Sequence, residues 1–211
     1  VALRQVALTH NVKVVAVSIG GNNFHFADTI EACVKNFLLS SSLSKNYCND
    51  DPAVAANFDA ASAALRQAEI ALAFHNLHDA MIGAGYRDDM WTLVVQTPPS
   101  PLPRGSGIRY TQVGYNRQVT GGCGFYDADA DWANDKILPV VSSTIKAAAA
   151  SLPFTNIRLL DLGAAFNGRR LCENTVGTLN DRGLKSWRDP GAVDQTEWIV
   201  PVRGVINSDN L

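Results

Sequence analysis

The residues best suited to chemistry follow directly on an apolar run, in the segment SIGGNNFHF, residues 18–26. Two glycines, Gly20 and Gly21, let a ligand approach the backbone closely. The side-chain amides of Asn22 and Asn23 can each donate a hydrogen bond to an oxygen that gains negative charge during a reaction. The segment therefore predicts a corner at which the backbone and an amide bind a reacting oxygen.

Three short segments predict the strands that would position this corner: residues 12–18, 91–97 and 157–162. Each is apolar nearly throughout and is bounded by Gly, Pro or a polar residue, as strands covered on both faces are. Ligands bind beyond the carboxyl ends of the strands in open parallel sheets. The corner follows the first strand, and so it stands where a site is expected.

Helical patterns separate these strands. The longest begins at Asp51, a predicted N-cap, with Pro52 in the first helical position, and is predicted to end near Gly83. A second helix is predicted over residues 132–151, where Pro139 kinks it or divides it in two. Alternating strands and helices predict an α/β fold, a three-layer αβα sandwich with a mostly parallel sheet.

The composition limits the class of partner. With 211 residues, 46% hydrophobic and 18% charged, the chain predicts one globular domain over residues 1–211. The formal net charge is -2 and no cluster of Lys and Arg is longer than Arg169-Arg170, which argues against nucleic acid. No apolar run approaches the roughly 18 to 20 residues that cross a bilayer, so no transmembrane segment is predicted.

The four cysteines, Cys33, Cys48, Cys123 and Cys172, have no Cys-x-x-Cys spacing and no nearby His in a ligand pattern, so zinc is not predicted. Two disulfides are the preferred interpretation, with four buried thiols in a cytosolic protein as the alternative. If neighbours along the chain pair, Cys33 with Cys48 closes a loop of about 15 residues, worth roughly 3 kcal/mol. Disulfides favour an oxidising compartment, so the protein is expected to be secreted.

The segment SIGGNNFHF resembles the third conserved block, Gly-x-Asn-Asp, of the SGNH or GDSL-type esterases and lipases, with residues 20–23 in register. Four further segments, QTPPSPLPRGSGIRY, GGCGFYDADADWAN, FNGRRLCENTVG and SWRDPGAVDQTEW, extend the resemblance to the secreted actinobacterial branch of that family. Together these segments span nearly the whole chain.

The resemblance implies a flavodoxin-like αβα fold and hydrolysis of a small-molecule or lipid ester by a Ser-His or Ser-His-Asp arrangement. It makes Asn22 one donor of the oxyanion hole and places Gly20, Gly21, Asn23 and Phe24 at the substrate. No cofactor and no metal are predicted for the chain. A secreted serine esterase or lipase is therefore the first functional expectation.

The chain departs from the family at both ends of the pattern. It contains no Gly-Asp-Ser block, no His follows His78, and Asn23 replaces the usual Asp. It begins without an initiator Met or a leader, which suggests processing or a chosen boundary. The chain thus resembles the middle of such a hydrolase, and the strand at residues 12–18 would present an unpaired apolar edge.

We therefore expect a second chain or cleaved fragment to carry the strand with the nucleophile. The alternative is a non-catalytic binding or interaction protein that retains the scaffold without the chemistry. Ser18 in AVSIG resembles the Gly-x-Ser-x-Gly elbow, with Ala in the first position. That elbow needs Ser, acid and His in this order, whereas all four histidines precede the strand-end acid Asp161, so Ser18 is interpreted as structural.

Other polar residues have plainer explanations. His25 lies near the corner but fits a surface loop, and His75 and His78 fit a helix surface. Arg169 and Arg170 suit either an anionic substrate group or a solvated pair.

The acidic run Asp127, Asp129 and Asp131 imitates the start of a calcium loop, yet it lacks the Gly and Glu of an EF-hand and suits a helix N-terminus. The aromatic residues at positions 24, 26, 126 and 132 would either line a pocket or complete a core.

Overall fold

The computed structural model describes residues 2–41, 43–114 and 116–199. Their contacts group into two compact units, each assembled from three segments of the chain. The first unit comprises Val1–Phe26, Ala56–Pro98 and Pro139–Gly163, and the second comprises Ala27–Ala55, Pro99–Leu138 and Ala164–Leu211. The single domain expected over residues 1–211 stays a prediction.

The chain forms a mixed α/β structure. The strands are β1 (Val14–Val17), β2 (Thr92–Gln96) and β3 (Ile157–Leu160). The helices are α1 (Ala2–Thr9), α2 (Phe26–Leu38), α3 (Pro52–Ala55), α4 (Ala60–Ile82), α5 (Asn116–Val119), α6 (Asp127–Trp132), α7 (Leu138–Ala150) and α8 (Ala192–Gln195). None of the described helices is both long and apolar enough to span a membrane.

The three strands form one parallel sheet in the order β1-β2-β3. Val15 lies opposite Leu93, which in turn lies opposite Ile157. The parallel sheet of three strands predicted from the sequence is confirmed, although each strand is shorter than its apolar segment. Just before β1 begins, the backbone bonds to a side chain rather than to a neighbouring strand. Val12 N–H donates to the Tyr86 hydroxyl at 2.9 Å, and this hydroxyl donates to the His10 carbonyl at 2.7 Å.

One face of the sheet is covered by helices. Leu93 and Val95 of β2 are fully buried on this face. Because β1, β2 and β3 succeed one another in one direction, right-handed crossovers place α4 and α7 on the same face. Ile70 of α4 and Ile145 of α7 both reach the Cβ position of Gly20. The two helices therefore meet above the carboxyl end of β1.

The opposite face carries apolar side chains that remain exposed. Val14 is 58% exposed, Leu160 is 43% exposed, and Ala16, two residues after Val14 on β1, is also exposed. In the described part of the chain, β1 pairs with β2 alone and forms an edge of the sheet. The sheet with one helical layer is thus compatible with an αβα sandwich, and the unpaired edge expected at the first strand is present.

The long helix predicted to begin at Pro52 is divided. Asp51 caps the first piece as predicted, because its carboxylate accepts the Ala53 N–H at 2.9 Å. The chain then makes a 3₁₀ turn at Ala56–Phe58, and Asp59 accepts the Ser62 N–H at 2.7 Å to start α4. A continuous helix was wrong here because a second N-cap residue interrupts it, while the predicted end near Gly83 is confirmed.

The second predicted helix begins earlier than expected and contains a π-helical turn at Ala133–Ile137. Pro139 explains this turn, because it has no N–H to donate to the carbonyl four residues earlier and its ring would clash with that carbonyl. The Leu138 N–H bonds to the Ala133 carbonyl instead. Pro139 therefore widens the helix rather than dividing it.

The second unit is built around two disulfides. Cys33 pairs with Cys48, and Cys123 pairs with Cys172. All four are buried and pack in one apolar cluster with Leu102 and other side chains. The disulfide interpretation is confirmed, and the pairing is between neighbours along the chain. The loops of 15 and 49 residues are worth about 3 and 4 kcal/mol on the chain-entropy account.

Candidate functional site

The predicted corner lies in the first unit, at the carboxyl end of β1. It leaves the strand at Ser18 and enters a 3₁₀ turn at Asn22–Phe24. Gly20 has φ +112°, and a Cβ there would lie 2.8 Å from the Ile145 side chain. Both the backbone conformation and the close approach of α7 require glycine at this position.

Gly21, unlike Gly20, is not required by its backbone conformation or by a close contact. Its backbone is right-handed, with φ -56° and ψ -43°, so its conformation does not require glycine. Nothing lies within 4 Å of the position that a Cβ would occupy. The surface beside the 3₁₀ turn is therefore open, and a ligand can approach the backbone here.

Asn22 is the first residue of the turn and is exposed. Within the described residues, its side-chain amide makes no hydrogen bond. The amide of Asn22 is consequently available as a donor at the carboxyl end of a parallel strand, which is where the sequence predicted one.

Asn23 ties the corner to α4. Its side-chain nitrogen donates to Glu69 Oε2 at 2.9 Å, and Arg66 Nη1 donates to both oxygens of Glu69 at 3.0 and 3.2 Å. The hydrogen bond from Asn23, assisted by Arg66, holds the pKa of Glu69 below its usual value. Asn23 therefore acts as an anchor for the turn that presents Asn22.

Phe24 is fully buried and stacks on Phe58, with ring centroids 5.9 Å apart. This burial corrects its assignment to a substrate surface, because a ring with no exposed area belongs to the core. Tyr126 is also buried, against Phe37 and Tyr47 in the second unit. For these two rings the core interpretation is the correct one.

His25 follows the turn in a left-handed conformation, with φ 52°. Such a conformation is uncommon for a residue with a side chain and is often found at functional sites. Its Nε2 lies 3.5 Å from Arg66 Nη2. Because a guanidinium group only donates, Arg66 is the donor in this contact.

The carboxyl ends of β2 and β3 are joined by a second polar network. The Thr97 hydroxyl donates to Asp161 Oδ1 at 2.8 Å and accepts the Leu162 N–H at 2.9 Å. Lys146 Nζ lies 2.6 Å from Asp161 Oδ2. The hydrogen bond from Lys146, with those from Gly163 N–H and Thr97, lowers the pKa of Asp161 to about 2. Such a carboxylate is a weak general base at neutral pH, and here it joins two loops.

Ser18 and His78 do not form a Ser-His pair. Ser18 is exposed at the end of β1. His78 stacks on Phe154 at 3.7 Å and lies 2.7 Å from Asp88, next to Trp91, which precedes β2. His78 thus belongs to the amino end of the sheet, whereas Ser18 belongs to its carboxyl end.

The three carboxylates of the acidic run, in the second unit, bind different partners. Asp127 Oδ1 lies 2.9 Å from Arg117 Nη1, and Asp131 accepts the Gly105 N–H at 3.0 Å. The buried Asp129 accepts the N–H groups of Cys48 and Asn49, each at 3.0 Å. Each carboxylate has a separate structural partner. Among the described residues no group of three His, Cys, Asp or Glu side chains is placed to hold a metal ion.

Asp129 is the most strongly perturbed of these carboxyl groups. Burial, reinforced by the charge of Asp50, raises its pKa to about 6 despite the two N–H donors. Its Oδ2 is buried without a hydrogen-bond partner in the described structure.

The two arginines also have partners. Arg170 forms an ion pair with Glu173 at 2.6 Å, and Arg169 donates to the Gly168 carbonyl at 2.8 Å. Arg170 is therefore compensated rather than free for an anionic ligand. The remaining two aromatic candidates, Phe26 and Trp132, belong to the first and the second unit respectively.

Three residues that position the candidate site were not found from the sequence. Glu69 and Lys146 lie on helices, and no pattern marks either of them. Thr97 ends the apolar segment of β2, so its place at the carboxyl edge was the one available signal. Comparison of the chain with protein-family models, with curated proteins and with solved structures finds no match.

Proposed function

We propose that this chain is the scaffold of a secreted SGNH-type ester hydrolase in which Asn22 donates a hydrogen bond to the oxyanion of acyl transfer. One observation carries the proposal: an exposed amide without a partner in the described structure stands at the carboxyl end of a parallel strand. The resemblance of residues 18–26 to the third block of that family supports the same role. The two disulfides support an oxidising, extracellular-type environment.

The geometry suits stabilisation of developing charge. When a serine ester forms or breaks, the carbonyl oxygen of the substrate becomes negatively charged, and a fixed donor binds that oxygen more strongly in the transition state than in the substrate. Gly20 and the Asn23–Glu69 hydrogen bond fix the turn that bears Asn22. The backbone that carries Asn22 is therefore held in place as the charge forms.

The nucleophile and the imidazole are assigned to a polypeptide segment outside the described structure. The unpaired edge of β1 offers backbone groups to an added parallel strand. The exposed face with Val14, Ala16 and Leu160 offers apolar area to a covering helix. A second chain or cleaved fragment that adds this strand would bring its own carboxyl end, with the serine, beside Asn22.

A fluorophosphonate probe tests this assignment. We expect the probe to label a serine in a polypeptide that co-purifies with the chain, and that preparation to hydrolyse p-nitrophenyl butyrate. The 211-residue chain alone is expected to remain unlabelled. Labelling of the isolated chain at Ser18 would contradict the assignment of the nucleophile.

Association through the exposed face has its own test. Ala16→Arg places a charge on that face and is expected to abolish co-purification of the labelled polypeptide. Ala64→Arg on exposed α4 is the matched control and is expected to leave co-purification unchanged. Equal recovery of the labelled polypeptide with both variants would exclude this face as the contact.

A non-catalytic binding protein is the second candidate. It is favoured by the positions of Ser18 at the carboxyl end of the sheet and His78 at its amino end, which keep these two residues from forming a Ser-His pair. The same probe separates the two candidates, because a binding protein would give no labelling in any fraction.

A further inference from the structure

Two neighbouring cavities lie in the second unit. Their volumes are about 260 and 400 Å³, and both are lined by Trp187, Thr196, Glu197 and Ile199. Leu179 adds to the first cavity, and Val193 and Trp198 add to the second. The shared lining makes them two parts of one surface site, which we call the tryptophan cleft.

The backbone of the cleft is held in place by hydrogen bonds. Gly177 N–H donates to the Gln195 carbonyl at 3.0 Å, and Glu197 N–H donates to the Gly177 carbonyl at 3.2 Å. These bonds join the two segments that form the walls, in a bridge between Gly177 and Thr196. Ile199, at the floor, packs against the disulfide core. The cleft is therefore preformed.

Two large aromatic side chains stand open at this cleft. Trp187 is 54% exposed and Trp198 is 47% exposed. The indole N–H of Trp198 already donates to the Val193 carbonyl at 2.9 Å, and its ring meets Phe166 edge to face. Exposed tryptophans that line one concave site present apolar area to a ligand rather than to the core.

Three polar side chains of the lining, Glu197, Thr196 and Thr178, make hydrogen bonds, whereas the exposed Asn180 side chain of the first cavity makes none within the described residues. Glu197 Oε1 accepts from Arg109 Nη2 at 2.6 Å and from Cys172 N–H at 2.9 Å, so its charge is compensated. The Thr196 hydroxyl donates to the Ala192 carbonyl at 2.7 Å, and the Thr178 hydroxyl accepts the Asp181 N–H at 3.2 Å. A ligand in the cleft thus meets apolar surface and no uncompensated charge from these groups.

We propose that the tryptophan cleft binds the hydrocarbon chain of a lipid-like molecule. An alkyl chain needs no hydrogen-bonding partner, fills a narrow apolar cleft, and gains affinity from contact with indole rings. A charged ligand would find no uncompensated opposite charge in this lining, because Glu197 is paired with Arg109. This binding is independent of ester hydrolysis and of the corner after β1.

The affinity is expected to depend on chain length. Each methylene removed from water strengthens binding by about fourfold. Decanol is therefore expected to bind about 15-fold more tightly than octanol. Butanol is expected to show no measurable binding. Equilibrium dialysis of the full chain with radiolabelled alcohols measures these constants without any hydrolytic readout.

Two single substitutions locate the site. Val193→Glu introduces a carboxylate at an exposed position of the lining and is expected to weaken decanol binding at least tenfold. Leu43→Glu, at an exposed leucine of the same unit, is the matched control and is expected to bind as the wild type does. Trp187→Ala is expected to weaken binding and Trp187→Phe to restore most of it, with folding checked by circular dichroism.

Three results would overturn the proposal. They are affinities that do not change with chain length, equal weakening by Val193→Glu and Leu43→Glu, and no binding of decanol by the wild-type chain. Loss of esterase activity with unchanged decanol binding would concern the proposed function alone.

Discussion

The side-chain nitrogen of Asn23 lies 2.9 Å from Glu69 Oε2, a hydrogen bond between residues 46 positions apart. It joins the turn after β1 to the middle of α4. Glu69 is itself held by Arg66, one turn earlier on the same helix. The position of the turn that carries Asn22 is therefore determined by an ion pair on a helix as well as by the strand that precedes it.

Replacing Asn23 with Asp is expected to destabilise the turn after β1. Asn23→Asp puts a second carboxylate within hydrogen-bonding distance of Glu69, where like charges repel and the amide donor is lost. We expect the variant to be less stable than the wild type at pH 7. The deficit should shrink as the pH falls and one carboxyl group of the pair binds a proton. Urea unfolding at a series of pH values measures it.

The control for this prediction is the double variant Asn23→Asp, Glu69→Gln, in which an amide again faces a carboxylate. It should recover most of the lost stability at pH 7. A deficit that is independent of pH, or that persists in the double variant, would show that the Asn23–Glu69 contact does not hold the corner.

Lys146 is expected to control the acid titration of Asp161. The pKa of Asp161 is lowered to about 2, so its contribution to stability is present above about pH 4 and is lost as the pH falls from about 4 to 2. Lys146→Met should move the carboxyl titration of Asp161 upward, as measured by NMR. Because the pair is exposed, the effect on the free energy of unfolding should stay below about 1 kcal/mol. An unchanged titration in Lys146→Met, with Lys13→Met as control, would contradict the assignment.

Asp129 is expected to change stability with pH in the direction opposite to Asp161. Burial raises its pKa to about 6, so the folded chain binds the proton more tightly than the unfolded chain does. Stability should therefore fall as the pH rises from about 4 to 6, by an amount on the order of 3 kcal/mol. Asp129→Asn should remove this decrease, because an amide oxygen can still accept the two N–H groups at every pH.

A second variant tests the cause of the shift at Asp129. Asp50 contributes to the raised pKa through its negative charge. Asp50→Asn should therefore move the decrease in stability to lower pH without abolishing it. A free energy of unfolding of the wild type that does not change between pH 4 and 6 would contradict the assignment of a raised pKa to the buried Asp129.

The sheet could be predicted from the sequence because its strands are short apolar runs bounded by polar or turn residues. Two helix boundaries could not be predicted from the sequence. Asp59 reads as one polar residue in a long helical pattern, and only its contact with the Ser62 N–H shows that it starts a new helix. Pro139 signalled an irregularity, but whether it kinks, divides or widens the helix depends on which carbonyls find donors.

The candidate site shows the same limit. Gly20 and Asn22 could be placed by the strand that precedes them, since a strand fixes where its carboxyl end lies. Phe24 could not be assigned correctly, because a buried and an exposed aromatic residue look alike in sequence. Glu69 and Lys146 were missed because their partners lie 46 and 15 positions away, and such pairs are set by packing.

The most direct test of the central claim is the turnover number of Asn22→Ala. It is measured for p-nitrophenyl butyrate in the preparation that contains the fluorophosphonate-labelled polypeptide, beside wild type and the exposed control Asn11→Ala. The account predicts a decrease in kcat of about 10²- to 10³-fold for Asn22→Ala, little change in KM, and no effect of Asn11→Ala. A kcat for Asn22→Ala within about threefold of wild type, or no hydrolysis by any preparation, would contradict it.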